Sequence, residues 1–220
     1  RPWVFTLHDV MAFETNLPWS NTWRHRWWRA KWALWLPRAV REAALVLTVS
    51  EFSKSRIVEL LRVDPNKIVV VGNGVDDRFR VAANQDFTEV GSSREPYLIV
   101  VGGLVPHKGG DVVLRVAAAL RHRGSSIRVI VAGRNAEALE TAAGRHPNVT
   151  LLGRIPDVEL VGWLRGALAL LFPSWYEGFG IPPLEAMAAG LPLVAPNAGG
   201  VTTYAHHGNA WLAAPEPAAF

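Results

Sequence analysis

The 220-residue chain contains no cysteine, which excludes disulfides and thiolate metal sites. No uninterrupted apolar stretch reaches the roughly 18 residues needed to span a bilayer. There is no H-E-x-x-H or other metal-ligand spacing and no Asp-x-Asp, and His206-His207 is an isolated pair. The glycine-rich stretch "GGLVPHKGG" matches neither G-x-G-x-x-G nor G-x-x-x-x-G-K-[ST], which counts against a dinucleotide fingerprint and a P-loop. No starting Met is present, and Arg1 opens directly into "PWVFTLHDV", which reads as a buried strand rather than a secretory leader. On that ground the chain is expected to be a fragment.

What is present is an ordinary globular composition, 50% hydrophobic and 19% charged, long enough for one large or two modest domains. The formal charge of +4 is unevenly spread. Between Trp19 and Arg41 stand six basic residues, six tryptophans and no acid. Trp28, Trp32 and Trp35 recur at i, i+4 and i+7, one face of a helix. Two readings stay open: a basic aromatic helix on an anionic membrane surface, or a helix packed between domains with its indoles buried. Pro37 limits the helix and tryptophan is a common packing residue, which favours the second. Charges elsewhere are mixed, so nucleic acid is not an expected partner.

From residue 43 onward, short β-branched runs alternate with amphipathic segments. "ALVLTVS" is a strand ending at Ser50, which can cap the helix "EFSKSRIVELLR". A polar, irregular stretch at 80–95 reads as a linker. Beyond it, strands "YLIVVGG", "IRVIVAG", "NVTLLG", "ALALLFP" and "LPLVAP" alternate with four helical segments. That alternation predicts an α/β protein with a parallel, doubly wound sheet.

In such sheets ligands lie beyond the carboxyl ends of the strands. Gly102, Gly103, Lys108, Arg134, Arg154 and the stretch Glu177–Gly180 all follow strands. The helix after "EGFG" is expected to start at Pro182 or Pro183, and its dipole and free N–H groups would suit a phosphate. Lys108 could add positive charge, and the carboxylates of Glu177 and Glu185 would accept from hydroxyls. A diphosphate with a hydroxyl-rich ring at each end, as in a nucleotide sugar, would use all of these groups. Each taken alone has a plainer reading. Glu185 in the first turn of a helix is favourable without a ligand, and a lone lysine is usually solvated.

The combination resembles the retaining GT-B glycosyltransferases of family 4, "glycosyl transferases group 1". "FTLHDV", "LVLTVSEFSKSRIVELLRVDPNKIVVVGNGVD", "VVGGLVPHKG", "VIVAGR", "VTLLGRIPDVEL" and "LFPSWYEGFGIPPLEAMAAGLPLVAPNAGG" look like successive family segments, the last carrying the E-x7-E signature. The resemblance implies a Rossmann-like donor domain at 96–220, preceded by the linker and by part of a second Rossmann-like, acceptor-side domain at 1–79. It implies that Glu177 contacts the donor sugar and Glu185 the ribose, with the amides of Gly178, Phe179 and Gly180 lining sugar and diphosphate. Lys108 would pair with the diphosphate beside Gly102 and Gly103. Arg134, Arg154 and Ile155 would lie near the nucleobase, and His8 would reach toward the transferred sugar. His8, Glu177 and Lys108 are thereby the candidate catalytic groups.

The implied activity is retaining, metal-independent transfer of a hexose (mannosyltransferases being one example) to a hydroxyl of a glycan or lipid-linked acceptor. It would serve glycan, glycolipid or polysaccharide synthesis. No cofactor is implied, the donor being substrate, with GDP- and UDP-sugars the first candidates. The implied location is cytoplasmic, peripheral at the inner membrane face if segment 19–41 docks there. Rival readings are a nucleotide-sugar epimerase or hydrolase of the same architecture, and a non-catalytic membrane-docking subunit. Two departures stand out. Gly103 and His107 occupy positions where many relatives carry a basic residue, and the chain lacks the beginning of the first domain and the closing helices of the second. On that ground the chain by itself is expected to bind a donor without turning over.

Overall fold

A computed structural model describes residues 2–80 and 95–213. The expected linker lies, apart from its two ends, outside the described residues. The chain divides into two compact units that do not follow it in two simple blocks. The first comprises residues 1–74, 176–180 and 198–203, and the second comprises 75–175, 181–197 and 204–220.

The first unit is built on a parallel three-stranded sheet, in the order β1 (Val4–Thr6), β2 (Leu45–Thr48), β3 (Ile68–Val70). Its helices are α1 (Trp23–Ala33), α2 (Leu36–Glu42) and α3 (Glu51–Leu61). Leu7, Val10, Leu36, Val40, Val46, Ile57, Leu61 and Ile68 form one core cluster. Ser50 caps α3 as expected, its hydroxyl accepting from the Ser53 amide at 3.0 Å. The helix ends at Arg62, which adopts the left-handed conformation. β1 differs from its expected burial: Val4 is 58% exposed, because among the described residues β1 pairs on one side only, with β2. The segment after β1 is tied to α3 by Arg56, whose Nε and Nη2 each donate to the buried Glu14 carboxylate at 2.7 Å.

The second unit holds a six-stranded sheet in which every pairing is parallel. Its elements run β4 (Tyr97–Val101), α4 (Gly110–His122), β5 (Arg128–Ala132), α5 (Glu137–Ala143), β6 (Val149–Gly153) and α6 (Asp157–Gly166). They continue with β7 (Ala169–Leu171), α7 (Ile181–Ala188), β8 (Leu193–Pro196) and β9 (Trp211–Ala213). Strand order is β6-β5-β4-β7-β8-β9, the Rossmann order with its switch point between β4 and β7. Strands covered on both faces read as continuous apolar runs, and Val129–Ala132 of β5 are all buried. Among the described residues, β9 is the one strand the sequence reading missed. It is three residues long and sits at the sheet edge, with Trp211 exposed.

Candidate functional site

The loop that leaves β4 enters the second unit's switch point and carries Gly102, Gly103 and Lys108. A short 3-10 turn, Pro106–Lys108, folds the lysine back over Gly102: a Cβ built on that glycine would lie 2.9 Å from Lys108 Nζ. The ammonium is thus held against backbone rather than extended into solvent. Gly103 has φ +82°, and a Cβ there would fall 2.0 Å from the Arg134 carbonyl oxygen. This is the physical reason the position carries no side chain: the backbone leaves no room for one, basic or otherwise. Asn135 Oδ1 accepts from the Leu104 amide at 2.9 Å, and the Leu104 carbonyl accepts from Ala136 at 2.7 Å. The loop after β5 is therefore stitched to the loop after β4. The Gly133 amide in turn donates to the Gly153 carbonyl at the end of β6.

Along this one edge of the sheet the structure brings together Gly102, Gly103, Lys108 and Arg134, with Arg154 and Ile155 following β6. The guanidinium-bearing Arg134 and Arg154 are exposed and Ile155 is half-buried. The loop after β7 joins the same edge, since the Trp175 amide and the Ser174 hydroxyl both donate to the His107 carbonyl, at 3.0 and 3.3 Å. His107 therefore contributes through its backbone here.

Helix α7 corrects two expectations. It starts at Ile181, so Pro182 and Pro183 occupy its second and third positions. Two of the four amides that would be left without intrahelical partners are then proline nitrogens with no hydrogen. The positive end of the dipole remains, but the donor set is smaller than the sequence suggested. Glu185 falls at the fifth position, and no acid lies in the first turn. Favourable interaction with the helix dipole is strongest in that turn, so it does not account for Glu185.

Its surroundings are not those of an ordinary surface acid. Glu185 is half-buried, and its carboxyl is raised above the usual range, first by burial and then by the like charge of Asp157. Arg78 pulls the other way, and Asp76 adds a smaller repulsion. Arg78 pairs with both Asp76 and Asp157 at 3.0 Å. The second unit thus keeps an acceptor carboxylate half-desolvated, beside an arginine whose charge is mostly spent on two other acids. Arg78, Asp76 and Asp157 were missed in the sequence, where nothing links residue 78 to residue 157. Among the described residues no cluster of three His, Asp or Glu is arranged to hold a metal ion.

The first unit carries His8 and the stretch Glu177–Gly180. His8 is exposed beyond the end of β1, and its carbonyl accepts from Ser53 Oγ at 2.8 Å. The same hydroxyl lies 3.1 Å from the Gly178 carbonyl, which also accepts from Ser50 Oγ at 2.5 Å. Both serines are fully buried at the first turn of α3. Gly178 is needed for close approach: a Cβ there would stand 2.7 Å from the His8 carbonyl oxygen and 3.0 Å from Ser53 Oγ. The Glu177 carbonyl accepts from the Gly200 amide at 2.8 Å. Glu177 is half-buried and Phe179 buried. Thus His8 and the Glu177–Gly180 loop are brought to one helix terminus by Ser50 and Ser53. The cue for this was "SEFS", read above as a cap only.

A parallel Rossmann-ordered sheet with a lysine loop and an acid-bearing helix at its switch point defines a doubly wound α/β class. Comparison with known proteins narrows it. Residues 81–220 match the sequence model for glycosyl transferases group 1, and residues 1–79 match that for glycosyltransferase family 4. The chain belongs to the glycosyl transferases group 1 family. It is 32% identical over 184 residues to D-inositol 3-phosphate glycosyltransferase 2 of Catenulispora acidiphila, covering 76% of this chain and 43% of that protein. It is 31% identical over 209 residues to MMP alpha-(1->4)-mannosyltransferase of Mycolicibacterium hassiacum, covering 90% of this chain and 49% of that one. The chain thus spans less than half the length of these relatives. Among solved structures, Anabaena HepE in complex with UDP and glucose superposes with a TM-score of 0.75 at 22% identity, covering 98% of this chain and 58% of that chain. The fold is that of the GT-B glycosyltransferases.

Proposed function

We propose that the protein to which this chain belongs is a retaining glycosyltransferase, moving a hexose from a nucleotide-diphosphate sugar to an acceptor hydroxyl. The observation that carries the reading is Glu185: a half-desolvated carboxylate, unexplained by its helix, on the element that follows the switch-point strand β7. A ribose diol would donate to it, and its ionised form accepts without competing donors. Lys108, held over Gly102, would neutralise charge on the departing diphosphate together with the α7 dipole. Such preorganised charge stabilisation is commonly the largest catalytic contribution. Gly102, Gly103 and the amides of Gly178, Phe179 and Gly180 would line the phosphates and sugar. Arg134, Arg154 and Ile155 would border the base, and His8 and Glu177 would touch the transferred sugar.

Transfer with retention would proceed by attack of the acceptor oxygen on the face from which the diphosphate leaves, the acceptor proton passing to the leaving phosphate oxygen. No divalent metal takes part in this scheme. Support comes from the names of the relatives, a glycosyltransferase and a mannosyltransferase, and from the UDP and glucose held by HepE. The acceptor class that fits is a glycan or lipid-linked hydroxyl.

The test is calorimetric titration with UDP-, GDP- and ADP-sugars and the bare nucleotides, with and without EDTA. One nucleotide series should bind, equally well in chelator. Absence of binding across the panel would overturn the donor assignment, and a large loss in EDTA would point to metal-dependent transfer instead.

A further inference from the structure

Helix α1 has two aromatic faces, and among the described residues only one of them is used by the fold. His25, Trp28 and Trp32 turn inward. His25 is buried with its Nε2 3.1 Å from the Glu14 carbonyl, and Trp32 packs on the core cluster. The rings form an edge-to-face series, His25 on Trp28 and Trp28 on Trp32. At the periodicity of a helix, Trp23, Trp27, Ala30 and Leu34 fall within an arc of about 60° on the other side. There Trp23 is 76% exposed, Trp27 64% and Leu34 84%. Exposed apolar side chains in a row, unlike scattered ones, mark a binding surface.

The rim of this row is basic. Arg24 and Lys31 flank one side and Arg26 the other, and among the described residues no acid pairs with any of them. Lys31 Nζ stands 5.8 Å from the Trp27 ring centre, so the nearest cation already rides on the row's own indole. Arg38, by contrast, is paired with Glu42.

We propose that this face of α1 docks on an anionic lipid bilayer. The indoles of Trp23 and Trp27 and the Leu34 side chain enter the headgroup–acyl boundary, while Arg24, Arg26 and Lys31 reach lipid phosphates. Indole suits that boundary because it is apolar with one polar N–H, and long basic side chains lay their stems on the apolar row while their charges reach outward. Charge complementarity chooses this occupant over a second copy of the chain. A two-fold contact through the row would set its basic rim against itself. The proposal does not depend on the glycosyl-transfer reading.

The experiment is co-sedimentation of the chain with vesicles of phosphatidylcholine alone and of phosphatidylcholine mixed with phosphatidylglycerol. Partitioning onto the mixed vesicles should be far stronger and should collapse at high salt. Replacing Arg24, Arg26 and Lys31 together by Gln should cost about a hundredfold, the product of three surface-charge contributions. Trp23→Ala with Trp27→Ala should abolish binding with an unchanged far-UV circular dichroism spectrum, since both side chains are exposed. Equal partitioning onto the two vesicle types, no partitioning, or insensitivity to both sets of substitutions would each overturn the proposal. A dimer in light scattering that Trp23→Ala and Trp27→Ala disperse, without vesicle binding, would assign the face to self-association instead.

Discussion

Replacing Glu185 by Gln should move stability and nucleotide affinity in opposite directions. The folded protein holds this carboxyl above its ordinary range, through burial first and Asp157 second, with Arg78 offsetting part of the effect. Between the unfolded pKa and the raised folded one, the native state binds more protons than the unfolded state, so stability falls as pH rises through that window. Above the window the penalty is fully present and constant. Gln keeps the shape and removes the charge, so the variant should be the more stable protein at pH 7.5. The gain should vanish below the ordinary carboxylate range, where both proteins are neutral at this position.

Binding should go the other way. A hydrogen bond to a charged group contributes about 1.5–3 kcal/mol, which corresponds to roughly 10- to 150-fold in the dissociation constant of whichever nucleoside diphosphate binds. Urea unfolding at pH 7.5 and about pH 3, with calorimetric titration at pH 7.5, reads both quantities. A variant that is no more stable at pH 7.5, and that binds nucleotide as before, would refute the reasoning and leave Glu185 as a structural acid.

Lys108→Ala should weaken diphosphate binding by about 1.5–3 kcal/mol without loss of fold; an unchanged dissociation constant would remove the lysine from the site. Glu177→Gln should leave bare nucleotide affinity nearly intact and lower single-turnover transfer in the whole enzyme, because in the proposed transfer charge would develop at the sugar only as the diphosphate leaves. If it weakens bare nucleotide as much as Glu185→Gln does, the two ends of the ligand are wrongly assigned. Gly103→Ala should destabilise the protein by about 3 kcal/mol, the combined scale of a strained positive φ and an overpacked contact, and a near-wild-type urea midpoint would show that the Arg134 carbonyl can move aside.

The sheet of the second unit was legible because its strands are apolar runs ended by glycine or proline, and its helices carry the intervening periodicity. The helical segment expected between "NVTLLG" and "ALALLFP" is a helix over Asp157–Gly166. β9 was not legible, since Trp-Leu-Ala at an edge gives too short a run to show a period. The start of α7 was misread because a proline pair advertises a first turn, yet Ile181 ahead of it is already helical. That one-residue difference moved Glu185 out of the first turn and removed its plainest structural explanation. In α1 the expected face held for Trp28 and Trp32 only, because the helix ends at Ala33 and Trp35, 44% exposed, lies in the break before α2; a helix with indoles on both sides also offers two stripes. Periodicity alone cannot say which of them the core takes.

The contacts that hold His8 and Gly178 lay wholly beyond the sequence reading. Ser50 Oγ and the Gly178 carbonyl are 128 positions apart, and no local propensity encodes such a pairing. It also changes what the nine residues "EGFGIPPLE" are. The first four, with Glu177, group with the unit that holds His8, and the remaining five, with Glu185, belong to the unit that holds Lys108. The spacing between the two acids is therefore not set by one helix face or one turn. Glu177 precedes the Gly178 carbonyl that the serines of α3 hold, whereas Glu185 answers to burial beside Asp157 and Arg78. Substitutions that disturb Ser50 or Ser53 should act on the Glu177 end alone, so the two carboxylates are separable by distant changes as well as by direct ones.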